Sequence, residues 1–97
     1  MKIVVNCGYD HFGAAIEDDE FYDFVQEYEE DRTNPKLIEF VETHTNPEDR
    51  GDLRIINIPD TATDWIINEY DEGCEEVIFV VDGKIHRDYI EIEDEDE

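Results

Sequence analysis

The chain has 97 residues, of which 30 are acidic and seven are basic, and its formal net charge is −23. This length allows one domain and leaves no room for a deep enclosed active site. The charge disfavours direct binding to nucleic acid or to an anionic membrane, because both would repel this surface, and it indicates a basic partner.

The composition nevertheless predicts a folded protein. Chains this acidic are often disordered, but 39% of the residues are hydrophobic and several segments show clear strand patterns. No apolar run reaches transmembrane length, and the first residues do not form a signal-peptide pattern. We therefore expect a cytoplasmic protein.

The first half of the chain predicts one strand and two helices. Residues 2–7 form a short apolar segment, which is typical of a strand. Residues 16–31 carry nine carboxylates and no basic residue, while apolar side chains recur at three- and four-residue spacing, which predicts a helix with one apolar stripe. Asn34 as N-cap, with Pro35 at the first helical position, predicts the start of a second helix. The turn signals Asn46-Pro47 and Arg50-Gly51 predict a loop over residues 43–52.

The second half predicts four strands in an antiparallel meander. Residues 53–58 alternate between apolar and polar side chains, and residues 64–70 form the next predicted strand. Residues 77–81 are apolar on both faces, which favours a central strand covered on both sides. Asp82-Gly83 tolerates positive φ and predicts a type I′ hairpin turn after it.

The last strand is predicted over residues 84–92, and residues 91–97 form an acidic tail. No linker separates two domains, so residues 1–90 are predicted to be a single α+β domain. Its architecture is expected to be a small antiparallel sheet of about four to five strands, with two helices packed on one face.

Four segments give the chain a familiar appearance: Asn6-Cys7-Gly8-Tyr9, Asn34-Pro35-Lys36-Leu37-Ile38-Glu39-Phe40-Val41-Glu42, Leu53-Arg54-Ile55-Ile56-Asn57-Ile58-Pro59-Asp60 and Ile66-Ile67-Asn68-Glu69-Tyr70-Asp71-Glu72-Gly73. With them the chain resembles a group of small, uncharacterised acidic proteins encoded by bacterial phages and prophages. The resemblance covers most of residues 1–81, although residues 8–15 depart from the group's usual Tyr-Gly-Gly-Phe-Ser pattern. It implies a phage context, and with it the cytoplasm of a host cell, and brings no known activity or catalytic residue.

The sequence contains no motif that predicts catalysis. Metal-binding histidine or cysteine pairs, a phosphate-binding loop and calcium-loop spacing are all missing from it. Cys7 and His11 lie four residues apart without an orienting partner, and His44 and His86 read as polar surface or strand residues. Cys7 and Cys74 are expected to be reduced thiols. We therefore expect a protein that is not an enzyme and that needs no cofactor or metal.

The acids themselves form two predicted contact ridges. If residues 17–31 were helical, their nine carboxylates would be spaced at one per ~2.5 Å, close to the one charge per ~1.7 Å of duplex DNA. Two tyrosines beside these acids are candidate interface anchors. The first ridge comprises Asp18, Asp19, Glu20, Tyr22, Asp23, Glu27, Glu29, Glu30 and Asp31; the second comprises Glu69, Tyr70, Asp71, Glu72, Glu75 and Glu76.

These features favour a phage-encoded inhibitor that occupies the basic groove of a host nucleic-acid-binding protein, such as a restriction enzyme or CRISPR effector, by mimicking DNA or RNA. The alternative is a phage accessory protein with an unrelated protein partner, in which the acids only confer solubility. Exposed sheet edges also leave a homodimer open.

Overall fold

A computed structural model describes residues 1–8, 10–71 and 73–89, with the backbone alone at Asp71. The second ridge residue Glu72 and the predicted tail lie outside these residues. The described elements are β1 (Lys2–Asn6), α1 (Asp19–Gln26), α2 (Pro35–Thr43), α3 (Pro47–Arg50), β2 (Leu53–Asn57), β3 (Asp64–Asp71), β4 (Cys74–Val81) and β5 (Lys84–Asp88).

The α+β class is confirmed, but the predicted single sheet is wrong. β1 pairs with β2 in a two-stranded antiparallel sheet, and β3, β4 and β5 form a separate three-stranded antiparallel sheet. β2 pairs with β1 because the buried, apolar β1 needs a neighbour for its backbone groups. Pro59 then interrupts the chain between β2 and β3. An isolated antiparallel bridge between Cys7 and Cys74 connects the two sheets.

The helices also differ from the prediction. α2 begins as expected, with the Asn34 side chain accepting a hydrogen bond from the backbone of Lys36 at 2.9 Å. α1 is much shorter than the predicted 16–31, and the residues after it form turns. Acidic side chains are unfavourable at the negative end of the helix dipole, which explains why the helix does not continue through them. α3, a single turn capped by Asn46, lies where a loop was expected.

The two-stranded sheet lies between the helices and the three-stranded sheet. On one face, Val4 of β1 packs with Val25 and Leu37 of the helices. On the other face, Ile3 packs in a second cluster with Val77 of β4. Both clusters are built from side chains with little or no exposed surface, so β1 forms the middle layer of the core.

β4 is the central strand of its sheet, as predicted, but the residues that the structure describes cover only one of its faces. Val77 is fully buried against the middle layer, whereas Ile78 on the opposite face is only half-buried. On that open face, Ile66 of β3 and Ile85 of β5 are 56% and 74% exposed. The long apolar run therefore reflects one buried face and one open face.

Candidate functional site

The acidic surface begins at the N-terminus of α1. The side chain of Asp18 accepts hydrogen bonds from the backbone N–H groups of Glu20 and Phe21 at 2.9 and 3.1 Å, and so caps the helix. Acids in the first turn are favourable there because they meet the positive end of the helix dipole. Val25 is buried beneath the helix, so the carboxylates of Glu20 and Asp23 are exposed to solvent on its outer side.

The surface continues through the turns that follow α1. Backbone hydrogen bonds of the i to i+3 type run through this segment, including 2.9 Å bonds from Tyr28 to Val25 and from Asp31 to Tyr28. The Tyr28 ring packs against Phe24 at 5.2 Å between centroids, which holds the segment on the core. We call the following eight exposed carboxylates the acidic surface: Asp18, Asp19, Glu20, Asp23, Glu27, Glu29, Glu30 and Asp31.

No cation among the described side chains forms an ion pair with the acidic surface. Within the part of the chain that the structure describes, the ion pairs involve other carboxylates, such as Glu42 with Lys2 and Asp60 with the N-terminal amine. Asp31 accepts a hydrogen bond from the neutral side chain of Asn34 at 2.9 Å. All eight charges are therefore available to a partner.

Arg32, which ends the acidic surface, is turned into the protein. Its Nε donates to the carbonyl oxygen of Glu29 at 2.5 Å, and its Nη1 donates to that of Val4 at 3.2 Å. The guanidinium lies over the Phe12 ring, 4.0 Å from its centroid, and forms a bidentate ion pair with Glu75 at 2.7 and 3.1 Å. Arg32 thereby anchors the acidic surface to β1 and β4, and its own charge is balanced by Glu75.

The second predicted ridge is only partly formed. Glu69 is exposed on β3, but the carboxylates of Glu75 and Glu76 are 12% and 5% exposed and point inward. Glu76 accepts hydrogen bonds from Asn68 at 2.8 Å and from Arg87 at 3.1 Å. These two acids hold the fold together and leave Glu69 as the exposed carboxylate of this ridge among the described side chains.

The two tyrosines of the predicted ridges contact aromatic neighbours. The Tyr22 hydroxyl lies 2.8 Å from Nε2 of His11, and the other ring nitrogen of His11 lies 3.3 Å from Asp10. The hydrogen bond from the backbone N–H of His11 has the larger effect in lowering the pKa of the Asp10 carboxyl, and the hydrogen bond with the His11 side chain has the next largest. Tyr70 is exposed and its ring lies 5.8 Å from that of Tyr89. Tyr22 borders the acidic surface, whereas Tyr70 belongs to the open sheet face.

The groups considered for catalysis do not form one centre among the described residues. His11 contacts Tyr22, whereas His86 stacks on Phe79 in the three-stranded sheet at 5.4 Å. Burial raises the pKa of the Cys7 thiol to about 11, with a smaller opposing effect from Arg54, so this thiol is protonated at neutral pH. The described residues include no group of three or more His, Cys, Asp or Glu that could hold a metal ion.

Sequence reasoning missed the two arginines that decide which acids are exposed. Arg32 is the first basic residue after a long acidic run, and that position was the available signal for an ion pair. Arg87 alternates with Ile85 on a strand and gave no such indication. Their partners lie 43 and 11 residues away along the chain, so the pairing depends on the tertiary fold.

Comparisons of this chain with models of protein families, with curated proteins and with solved structures found no match. In the described part of the chain, no helix combines the length and the apolar character needed to cross a membrane.

Proposed function

We propose that this protein uses the acidic surface to bind the basic nucleic-acid-binding groove of a host defence protein and thereby excludes its DNA or RNA. The observation that carries the proposal is the set of eight exposed carboxylates within 14 residues, fixed to the core and unpaired with cations in the described structure. The phage context implied by the resemblance supplies the setting, a host cell with nucleases directed against foreign nucleic acid.

The physical basis is the chemistry that proteins use to bind phosphates. Arginine and lysine side chains in such grooves form charge-assisted hydrogen bonds with anionic oxygens, and carboxylates offer the same kind of acceptor. A net charge of −23 also steers the protein toward a basic groove and speeds association. The inhibitor and the nucleic acid compete for one site, so binding by either excludes the other.

Rigidity favours the acidic surface over a flexible acidic segment. Arg32 contacts β1 and β4, and Tyr28 packs on the core, so the backbone that carries the carboxylates before Arg32 is held in place. A surface ordered before binding loses little conformational entropy on association. The shortened α1 changes the shape of the predicted ridge, which now consists of a helix followed by turns.

The test is an affinity capture from phage-sensitive host lysate at low and high salt, with added DNA or RNA as competitor. The proposal predicts capture of a nucleic-acid-binding protein that salt and nucleic acid both release. The variant Glu27→Lys/Glu30→Lys/Asp31→Lys should lose that protein. The matched control Glu39→Lys/Glu48→Lys/Asp64→Lys has the same net charge on exposed residues elsewhere and should retain it. Equal retention by both variants would refute the proposal.

A second candidate function rests on the open face of the three-stranded sheet. Ile66, Ile78, Val80 and Ile85 line a shallow apolar groove there. Such a face favours the alternative of a protein partner unrelated to nucleic acid, bound through apolar contacts. In that case Ile66→Thr/Ile85→Thr would abolish capture, whereas salt, nucleic acid and the charge reversals would not.

A further inference from the structure

Among the described residues, β5 is an edge strand of the three-stranded sheet. It pairs with β4 on one side, and the sheet formed by the described residues does not continue beyond it. The residues from Lys84 to Arg87 are all exposed. An edge strand presents backbone N–H and C=O groups that can pair with a further strand.

The hairpin geometry fixes which backbone groups point outward. Asp82 and Gly83 form a two-residue turn with φ values of 53° and 75°. Val81 and Lys84, which flank this turn and pair across it, are therefore a hydrogen-bonded pair. Hydrogen-bonded and non-hydrogen-bonded pairs alternate along an antiparallel ladder. Ile85 and Arg87 therefore direct their N–H and C=O groups away from β4.

We propose that this edge pairs with the same edge of a second copy of the chain, antiparallel and centred on His86. In this register, Ile85 of each copy lies opposite Arg87 of the other. These are the residues whose backbone groups point outward, so each contact exchanges a pair of hydrogen bonds. The two three-stranded sheets become one six-stranded sheet with a twofold axis at His86.

The side-chain charges fit the same register. Lys84 of each copy lies opposite Asp88 of the other, at a non-hydrogen-bonded position where cross-strand side chains approach most closely. Charged residues of one sign on an edge strand usually prevent pairing. Here a cation and an anion stand at equal distances on either side of His86, so a symmetric contact matches opposite charges twice.

The edge strand itself carries less negative charge than the chain as a whole. Lys84 and Arg87 outnumber Asp88 along β5, in a chain whose net charge is −23. Ile85, the most exposed of the large apolar side chains described, would be covered by the stem of Arg87 from the second copy. The acidic surface lies on other elements, so this dimer does not rest on the proposed function.

Sedimentation equilibrium of the 97-residue chain at low and high salt tests the proposal. We expect a monomer–dimer equilibrium that shifts toward the dimer with added salt, because screening weakens the overall repulsion between copies. Lys84→Asp or Asp88→Lys creates two like-charge pairs and should raise the dissociation constant about tenfold or more. The double variant Lys84→Asp/Asp88→Lys restores opposite pairs and should return it toward the wild-type value.

Lys36→Asp is the matched control for Lys84→Asp, because it makes the same charge change on an exposed residue of α2. It should leave the dissociation constant within a small factor of the wild-type value. A protein that remains monomeric at all concentrations and salts would overturn the dimer. If the single substitutions leave the dissociation constant unchanged, or if the double variant fails to restore it, this interface and its register would be overturned. Circular dichroism confirms that each variant is folded.

Discussion

Arg32 and Glu75 form a bidentate ion pair, with 2.7 and 3.1 Å between nitrogen and oxygen, although 43 residues separate them along the chain. Both side chains are almost buried. Glu75 also accepts a hydrogen bond from the backbone of Asn6 at 2.7 Å. This pair links the end of the acidic surface, the first strand and the central strand of the second sheet.

Removal of Arg32 should destabilise the protein strongly. Arg32→Met leaves the Glu75 carboxylate buried without its cation, and the loss in unfolding free energy should be about 3–5 kcal/mol. Urea denaturation monitored by circular dichroism measures this loss. The double variant Arg32→Met/Glu75→Gln keeps an oxygen acceptor for Asn6 and removes the buried charge, so it should be clearly more stable than the single variant. The opposite order would contradict a buried ion pair at this position.

Gly73 and Gly83 have almost the same backbone conformation, with φ values of 77° and 75°, but different surroundings. A Cβ atom on Gly83 meets nothing within 4 Å, whereas one on Gly73 would lie 2.2 Å from the carbonyl oxygen of Asp10. Gly83→Ala should therefore cost about 1 kcal/mol for the left-handed backbone, and Gly73→Ala roughly 2–4 kcal/mol because the Asp10 backbone must move. Equal losses in urea denaturation would contradict the close contact.

The raised pKa of the Cys7 thiol predicts that the protein loses stability at alkaline pH. Its pKa is about 11 in the fold, against an ordinary value of 9.0, because burial disfavours the thiolate. Since the folded pKa is the higher one, this contribution to stability is complete below pH 9 and is lost as the pH rises toward 11. Cys7→Ala should show a smaller alkaline decrease in its urea midpoint than the wild type. Parallel decreases in the two proteins would contradict the assigned pKa.

Exposed and buried acids should respond in opposite ways to neutralisation. Glu30→Gln removes one charge from a surface of like charges and should raise the unfolding free energy by a few tenths of a kcal/mol. Glu75→Gln leaves Arg32 without its anion and should lower the unfolding free energy. The gain from Glu30→Gln should shrink with added salt, because salt screens exposed charges far more than buried ones. Thermal denaturation at low and high salt measures both effects.

The sequence is most informative where structure depends on near neighbours. The Asn34-Pro35 helix start, the Asp82-Gly83 turn and the central position of β4 were all predictable from a few adjacent residues. The division into two sheets was not, because the partner of β1 lies some fifty residues away and local patterns carry no information about that choice. The same limit applies to the open face of β4, whose apolar side chains resemble buried ones in sequence.

The candidate site shows a similar division. The exposed carboxylates on α1 and the following turns were predicted from their density. In the sequence Glu75 and Glu76 cannot be distinguished from exposed acids, yet in the structure they are largely buried in ion pairs with Arg32 and Arg87. Burial of a charge depends on where its counterion comes to lie, and that is a property of the folded chain.

The separation of the two sheets has a consequence for the order of folding. Turns of a few residues connect the strands of the three-stranded sheet, whereas the β1–β2 ladder joins residues 47 to 55 positions apart, from Asn6 with Leu53 to Lys2 with Asn57. Closing so long a loop costs entropy before its contacts form. On the ribosome, β1 emerges long before its partner strand. The acidic segment between them is therefore synthesised while its anchor on β4 does not yet exist.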